Sequence, residues 1–145
     1  MLKVNNLSYG YTKKQSVFKD LSFQLHSGKL YALMGGNGSG KSTLLHCLSG
    51  FLSGWEGSVY IKNKNLREMS RTELAQCFSF VPQDTGIVFP YTVESMVLMG
   101  RAPFIGMFSR PGPRDKRFAH EAMRELGVES LSEKPFNEIS GGERQ

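Results

Sequence analysis

An α/β layered domain is the fold class this sequence predicts, and three successive features predict it. Residues 30–34 (Leu-Tyr-Ala-Leu-Met) are a short, almost continuous apolar run, the pattern of a strand buried on both faces. A glycine-rich stretch, residues 35–40, follows without a break. Residues 41–49 then read as a helix with Leu44, Leu45 and Leu48 on one side, stopped by Gly50.

The other elements follow in chain order. Residues 3–23 alternate short β-prone stretches with turn residues; Leu2, Val4 and Leu7 open the segment, and Val17, Leu21, Phe23 and Leu25 continue it in a period-2 rhythm. His26-Ser27-Gly28-Lys29 is a tight turn. Residues 57–62 form a further strand, turned by Asn63-Lys64-Asn65. Ser70 with Glu73 three residues later makes a capping box that starts a helix to residue 76. Residues 78–81 read as a strand stopped by Pro82, residues 93–99 as a helix, and residues 114–126 as a helix ending at Gly127. The result is an α/β arrangement with an antiparallel β portion at the N-terminus and a helical portion around residues 92–138. Its segments are 1–62, 63–91 and 92–145. No internal repeat or low-complexity tract interrupts it.

Bulk composition narrows the function classes. Of the 145 residues, 39% are apolar and 21% charged, a globular balance that argues against disorder. The net charge of +5 is spread along the chain. The one tight basic group, Arg110, Arg114, Lys116 and Arg117, surrounds prolines and a glycine, and reads as a solvated loop and helix start rather than a nucleic-acid footprint. Cys47 and Cys77 match no metal or redox spacing and read as small buried thiols in a reducing compartment. The N-terminus lacks the apolar core of a signal peptide. No apolar run approaches the roughly 18 residues of a membrane span, so any link to a membrane passes through a partner.

The chemistry is concentrated in Gly35-Gly36-Asn37-Gly38-Ser39-Gly40-Lys41-Ser42, which satisfies the phosphate-loop spacing G-x-x-x-x-G-K-[ST] in full. Backbone N–H groups wrap a phosphate chain only where side chains do not block the approach, hence the glycines. A helix starting at Lys41 aims its free N–H groups and positive dipole end at the same anion. Lys41 adds a mobile charge for the β- and γ-phosphates, the Ser42 hydroxyl suits Mg²⁺, and Thr43 is placed for the α-phosphate. The ligand predicted is ATP with Mg²⁺. A second motif, Ile139-Ser140-Gly141-Gly142-Glu143-Arg144-Gln145, is by itself a turn with a capped helix start.

Taken with the phosphate loop upstream, that second motif resembles the signature of ABC-type ATPases, usually Leu-Ser-Gly-Gly-Gln, here with Ile139 and Glu143 in place of Leu and Gln. The fold this implies is the ABC ATPase-like P-loop NTPase core. The resemblance also implies that Ser140, Gly141, Gly142 and Glu143 act in trans, on ATP held by a second ATP-binding subunit. Val81-Pro82-Gln83, about forty residues after Lys41, matches the family's Q-loop, where Gln83 would ligate Mg²⁺ together with Ser42 and sense the γ-phosphate beside Lys41. Tyr11 stands where the family places an adenine-stacking aromatic; Tyr9 is its competitor. Residues 92–104, with Met99-Gly100-Arg101-Ala102-Pro103, resemble importers of the iron–siderophore, haem and cobalamin type.

Further expectations come with that resemblance. The partners are a second copy of the ATP-binding subunit, a transmembrane permease and, indirectly, a substrate-binding protein, with no nucleic acid. The location is the cytoplasmic face of the cell membrane. Family members continue past the signature to an Asp-Glu pair and a switch histidine; none of His26, His46 or His120 stands in that place. Residues 1–145 are therefore expected to be an incomplete core, truncated after the signature. They should bind ATP weakly, turn over little or none, and leave residues 30–34 as an apolar edge prone to association. Three rival readings are a soluble, permease-free ABC ATPase, a non-catalytic nucleotide-binding regulatory fragment, and an unrelated P-loop kinase.

Overall fold

Residues 1–12, 14–81, 90–106 and 109–144 of the computed structural model are described. They fall into two compact units, Met1–Phe78 and Ser79–Gln145. In the first unit the period-2 pattern produces β1 (Leu2–Thr12) and β2 (Gln15–Leu25), paired antiparallel. β1 also pairs antiparallel with β3 (Glu56–Ile61), and β3 with the short β4 (Lys64–Asn65), giving the sheet order β2-β1-β3-β4. The ladder shifts register along β1, where Asn6 and, on β2, Asp20 take positive φ. Ser22 and Ser8 hydroxyls accept the N–H groups of Asn6 (2.8 Å) and Asp20 (2.9 Å) at these irregularities, so the bulged backbone stays paired.

Val4 and Leu7 of β1 and Val59 and Ile61 of β3 pack with Leu44, Cys47 and Leu48 of α1 (Lys41–Leu48), and Trp55 and Leu66 close the cluster. Val4, Leu7 and Val59 are almost wholly buried, each contributing about 1.5–3 kcal/mol of apolar burial. The Arg67 guanidinium lies 4.0 Å above the Trp55 ring and also donates to the Trp55 carbonyl. The predicted capping box is present at α2 (Arg71–Cys77): Ser70 accepts the Glu73 N–H at 3.2 Å, and the Glu73 carboxylate accepts the Ser70 N–H at 2.8 Å. Lys64 completes the arrangement at 2.6 Å from Glu73. That ammonium, followed by Ser70, holds the Glu73 carboxyl down at about 2.

The second unit is helical. Thr92 accepts the Ser95 N–H and caps α3 (Val93–Met99). An isolated bridge from Thr92 to Pro135 and the bond from the Phe136 N–H to the Tyr91 carbonyl (2.7 Å) bring the 3₁₀ turn Phe136–Glu138 alongside. α4 (Pro113–Glu125) begins with proline at its first position, where no N–H is needed, and Gly127 follows in the left-handed region. Val93, Met123, Phe136 and Ile139 form the core. Arg101 ties α3 to α4: its Nε is 3.1 Å from Asp115, and its guanidinium lies 4.3 Å from the Phe104 ring and 4.6 Å from that of Phe118. Asp115, accepting the Gly112 N–H and then the Arg101 bond, is held below the usual carboxylate range. The basic group is a loop and helix start as expected, with Arg110, Arg114, Lys116 and Arg117 exposed.

The structure corrects five expectations. Residues 30–34 join no ladder among the described residues; Leu30 is 100% and Met34 87% exposed. A strand buried on both faces needs a neighbour on each side, and none of the described residues pairs along this run. Residues 78–81 are likewise not part of a strand, with Phe80 and Val81 exposed. The β3–β4 turn sits one residue earlier than expected, on Lys62 and Asn63 (φ 48 and 69), the positive pair that a two-residue hairpin requires. Leu45 turns outward while Thr43, Leu44, Cys47 and Leu48 face the sheet, because 3.6-residue periodicity groups positions 43, 44, 47 and 48. Cys77 is exposed rather than buried; Cys47 is buried, which pushes its thiol up to about 11.

Candidate nucleotide site

α1 owes its position to Gly40. This residue caps the helix with φ 88, and a Cβ placed on it would lie 2.6 Å from Val17 Cγ1 and 3.6 Å from the Phe18 ring. Glycine is thus what lets the helix start approach β2. The Leu44 N–H donates to the Gly40 carbonyl at 2.8 Å, and the N–H groups before it are the free donors of a helix N-terminus. The loop ahead closes through the Ser39 N–H on the Gly36 carbonyl at 3.3 Å. A Cβ added at Gly36 or Gly38 would meet nothing within 4 Å: the loop wraps open space.

Lys41 reaches back over that space and donates to the Gly35 carbonyl at 2.9 Å and the Gly36 carbonyl at 2.7 Å. Ser42 is exposed beside it, and Thr43 is buried one residue further on. The donor set fits a polyphosphate: free helix N–H groups, a mobile ammonium held only by neutral carbonyls, and a cradle that glycine leaves unfilled. For the magnesium ion, Ser42 offers a hydroxyl, and Gln83, its predicted companion, lies outside the described residues. No group of three or more His, Cys, Asp or Glu suited to a metal occurs among the described residues.

Of the two candidate aromatics, Tyr9 is packed against the first core and lies in a tilted contact with Phe18. Burial, then Tyr11 and Cys47, pushes its phenol pKa up. Tyr11, two residues on and on the same face of β1, is 63% exposed. Its ring meets Tyr9 edge-on at 5.3 Å, and its hydroxyl lies 3.1 Å from that of Thr43. The structure therefore gathers Tyr11, Gly35, Gly36, Asn37, Gly38, Ser39, Gly40, Lys41, Ser42 and Thr43 within the first unit. Sequence reasoning passed over Val17, whose only signal was its place in the period-2 run.

The pattern of the ABC transporter family matches residues 18–145. The chain belongs to that family. Among the relatives of this ABC protein is YvrA, an ABC transporter ATP-binding protein of Bacillus subtilis, 38% identical over 145 residues, or 99% of this chain and 33% of YvrA. The manganese transport system ATP-binding protein MntB of Halalkalibacterium halodurans is 37% identical over 100% of this chain and 56% of its own length. In structure, the ABC chain superimposes with a TM-score of 0.80 and 33% identity on an ABC transporter assigned to the metal-chelate type and captured inward-facing, covering 99% of this chain and 51% of that one. The chain thus spans from a third to somewhat over half of these proteins, and its fold is that of their ATP-binding cassettes.

The residues that resemble the ABC signature lie in the second unit. Ser140 accepts the Glu143 N–H at 3.3 Å, and Glu143 accepts the Ser140 N–H at 2.7 Å. This reciprocal pair starts α5 (Gly141–Arg144), and Ser140 holds the Glu143 carboxyl below its usual range. Arg144, quoted in the motif but given no role, donates to the carbonyls of Ile139 (3.1 Å) and Asn137 (3.0 Å). Gly141 and Gly142 are exposed. Gln145 lies outside the described residues.

Proposed function

We propose that this chain is the nucleotide-holding part of the ATP-hydrolysing subunit of an ABC importer for metal chelates, of the iron–siderophore, haem or cobalamin type. The open glycine cradle in front of α1, with Lys41 drawn across it, carries the reading. On binding ATP, Lys41 exchanges two neutral carbonyls for phosphate oxygens, a charge-assisted and therefore stronger pairing. Gly36, Asn37, Gly38, Ser39 and Gly40 offer backbone N–H groups, Tyr11 stacks on adenine, and Ser42 with Gln83 holds Mg²⁺, which neutralises phosphate charge when bound. Ser140, Gly141, Gly142 and Glu143 serve the ATP of a second subunit.

On this reading a permease anchors the dimer at the cytoplasmic face of the membrane, and a substrate-binding protein delivers cargo to that permease. The manganese and metal-chelate assignments of two relatives, together with the run around Arg101, support the import class. No helix among the described residues is long and apolar enough to cross a membrane; on this reading the permease supplies the anchor. Residues 1–145 supply binding; the carboxylates that would hold the metal and polarise water are not assigned to any of them, and no turnover by these residues alone is expected.

Equilibrium binding of MgATP to the purified protein, beside Lys41→Ala, tests the site. Saturable binding weakened about tenfold or more by the substitution, a change of about 1.4 kcal/mol, is the expected result. Equal binding by both proteins refutes it. Recovery from native membranes with a permease supports the import assignment, and recovery only from the soluble fraction favours a permease-free ABC ATPase.

A further inference from the structure

The Thr43 hydroxyl is engaged with that of Tyr11. Thr43 sits in the first turn of α1 and is 9% exposed, with its Oγ1 3.1 Å from the Tyr11 hydroxyl. Tyr11 is held for this contact from two sides. Its backbone lies between Gly10 and Thr12 of β1, which pair with Ser16 and Gln15 of β2, and the Tyr9 ring, itself packed against the core, meets it edge-on at 5.3 Å. Tyr11 as a residue remains 63% exposed, and its hydroxyl is the group hydrogen-bonded to α1. Thr43 offers one hydroxyl hydrogen, and donating it to Tyr11 withholds it from a phosphate. Accepting from Tyr11 instead still places the phenol oxygen 3.1 Å from Thr43 Oγ1, at the distance a phosphate oxygen would need.

We propose that the Tyr11–Thr43 hydrogen bond is a latch that a polyphosphate must open, so that Tyr11 opposes phosphate entry through its hydroxyl while offering its ring to the base. The inference rests on the nucleotide-site reading above and adds a regulatory role to it. Loading is then an exchange at two points, Lys41 leaving the Gly35 and Gly36 carbonyls and Thr43 leaving Tyr11. The base, by drawing the Tyr11 ring onto itself, helps to open the second point. Ligands that carry a base therefore gain over bare polyphosphate by more than stacking alone.

Calorimetric titration of the protein with inorganic tripolyphosphate and Mg²⁺ tests this, because that ligand has no base for Tyr11 to stack on. Tyr11→Phe keeps the ring and removes the hydroxyl at an exposed position, so it leaves the fold intact. The latch predicts that Tyr11→Phe binds tripolyphosphate about three- to tenfold more tightly than the parent, the equivalent of one neutral hydrogen bond. It also predicts that the gain disappears when the same change is made on Thr43→Ala, since the cycle isolates the pair. An unchanged or weakened affinity in Tyr11→Phe, or a gain that persists on Thr43→Ala, overturns the latch. If tripolyphosphate binding is unchanged in Tyr11→Phe but lost in Lys41→Ala, the nucleotide site stands and only the latch falls. If neither ATP nor tripolyphosphate binds the parent, both fall.

Discussion

Gly36 and Gly40 stand four residues apart in one loop, yet they are expected to respond to alanine in opposite ways. At Gly40 the backbone is left-handed, φ 88, a conformation costing an L-residue about 1–2 kcal/mol. The added Cβ would also approach Val17 Cγ1 to 2.6 Å, well inside the roughly 3.5–4.0 Å of favourable carbon contact. Val17 is β-branched and stiff at χ1, so α1 or β2 must move, an overpacking cost of about 1–3 kcal/mol. The smaller unfolded-state entropy of alanine returns about 0.4–1 kcal/mol. Gly40→Ala should therefore lose about 1–5 kcal/mol, a large share of the stability of an ordinary domain. At Gly36 the Cβ meets nothing, so Gly36→Ala should stay within about 0.5 kcal/mol of the parent while its methyl group occupies space meant for phosphate and weakens MgATP binding about tenfold or more. Urea unfolding followed alongside calorimetric binding separates the two. A Gly40→Ala protein as stable as the parent, or a Gly36→Ala protein that binds normally, refutes the division of labour.

Two further outcomes follow from charged groups. Glu73 has its pKa depressed to about 2 by Lys64 and Ser70, so its contribution to stability is complete above its ordinary carboxylate range and is lost as pH falls towards 2. The gap in melting temperature between the parent and Glu73→Gln should be widest near neutral pH and close by about pH 2; a pH-independent gap refutes the linkage. Arg101→Lys keeps the charge but gives up the planar stacking on Phe104 and Phe118, and should cost the helical unit about 1 kcal/mol or more. Amide hydrogen exchange in α3 and α4 reports it, and unchanged protection refutes it.

Local signals were read well where the information is local. Ser70 and Glu73 announce their helix because both partners of the cap lie three residues apart. The glycine loop and α1 follow from spacing, and Gly127 marks a helix end in the sequence as in the structure. What failed is what depends on neighbours. Apolar character in residues 30–34 and 78–81 states a demand for burial, not the presence of a strand to meet it. Within the site, the glycine spacing and the start of α1 at Lys41 were legible. The Tyr11–Thr43 contact was not, because it joins residues 32 apart through a register that bulges in β1 alter. Arg101 was seen in its motif but left without chemistry, since stacking between Phe104 and Phe118 needs the path of two helices.

Trp55 is the sole tryptophan of the chain, and it lies in the Met1–Phe78 unit, 5% exposed, with the charge of Arg67 4.0 Å above its ring and its indole N–H on the Leu52 carbonyl. The protein thereby carries an optical label of its own, confined to the unit that holds the glycine loop. Its emission, excited selectively over tyrosine, follows the opening of that unit and leaves the helical one dark. Tyr91 is the only tyrosine in the other unit. Comparing tryptophan emission with helix dichroism along a single denaturation would show whether the two units open together or one after the other.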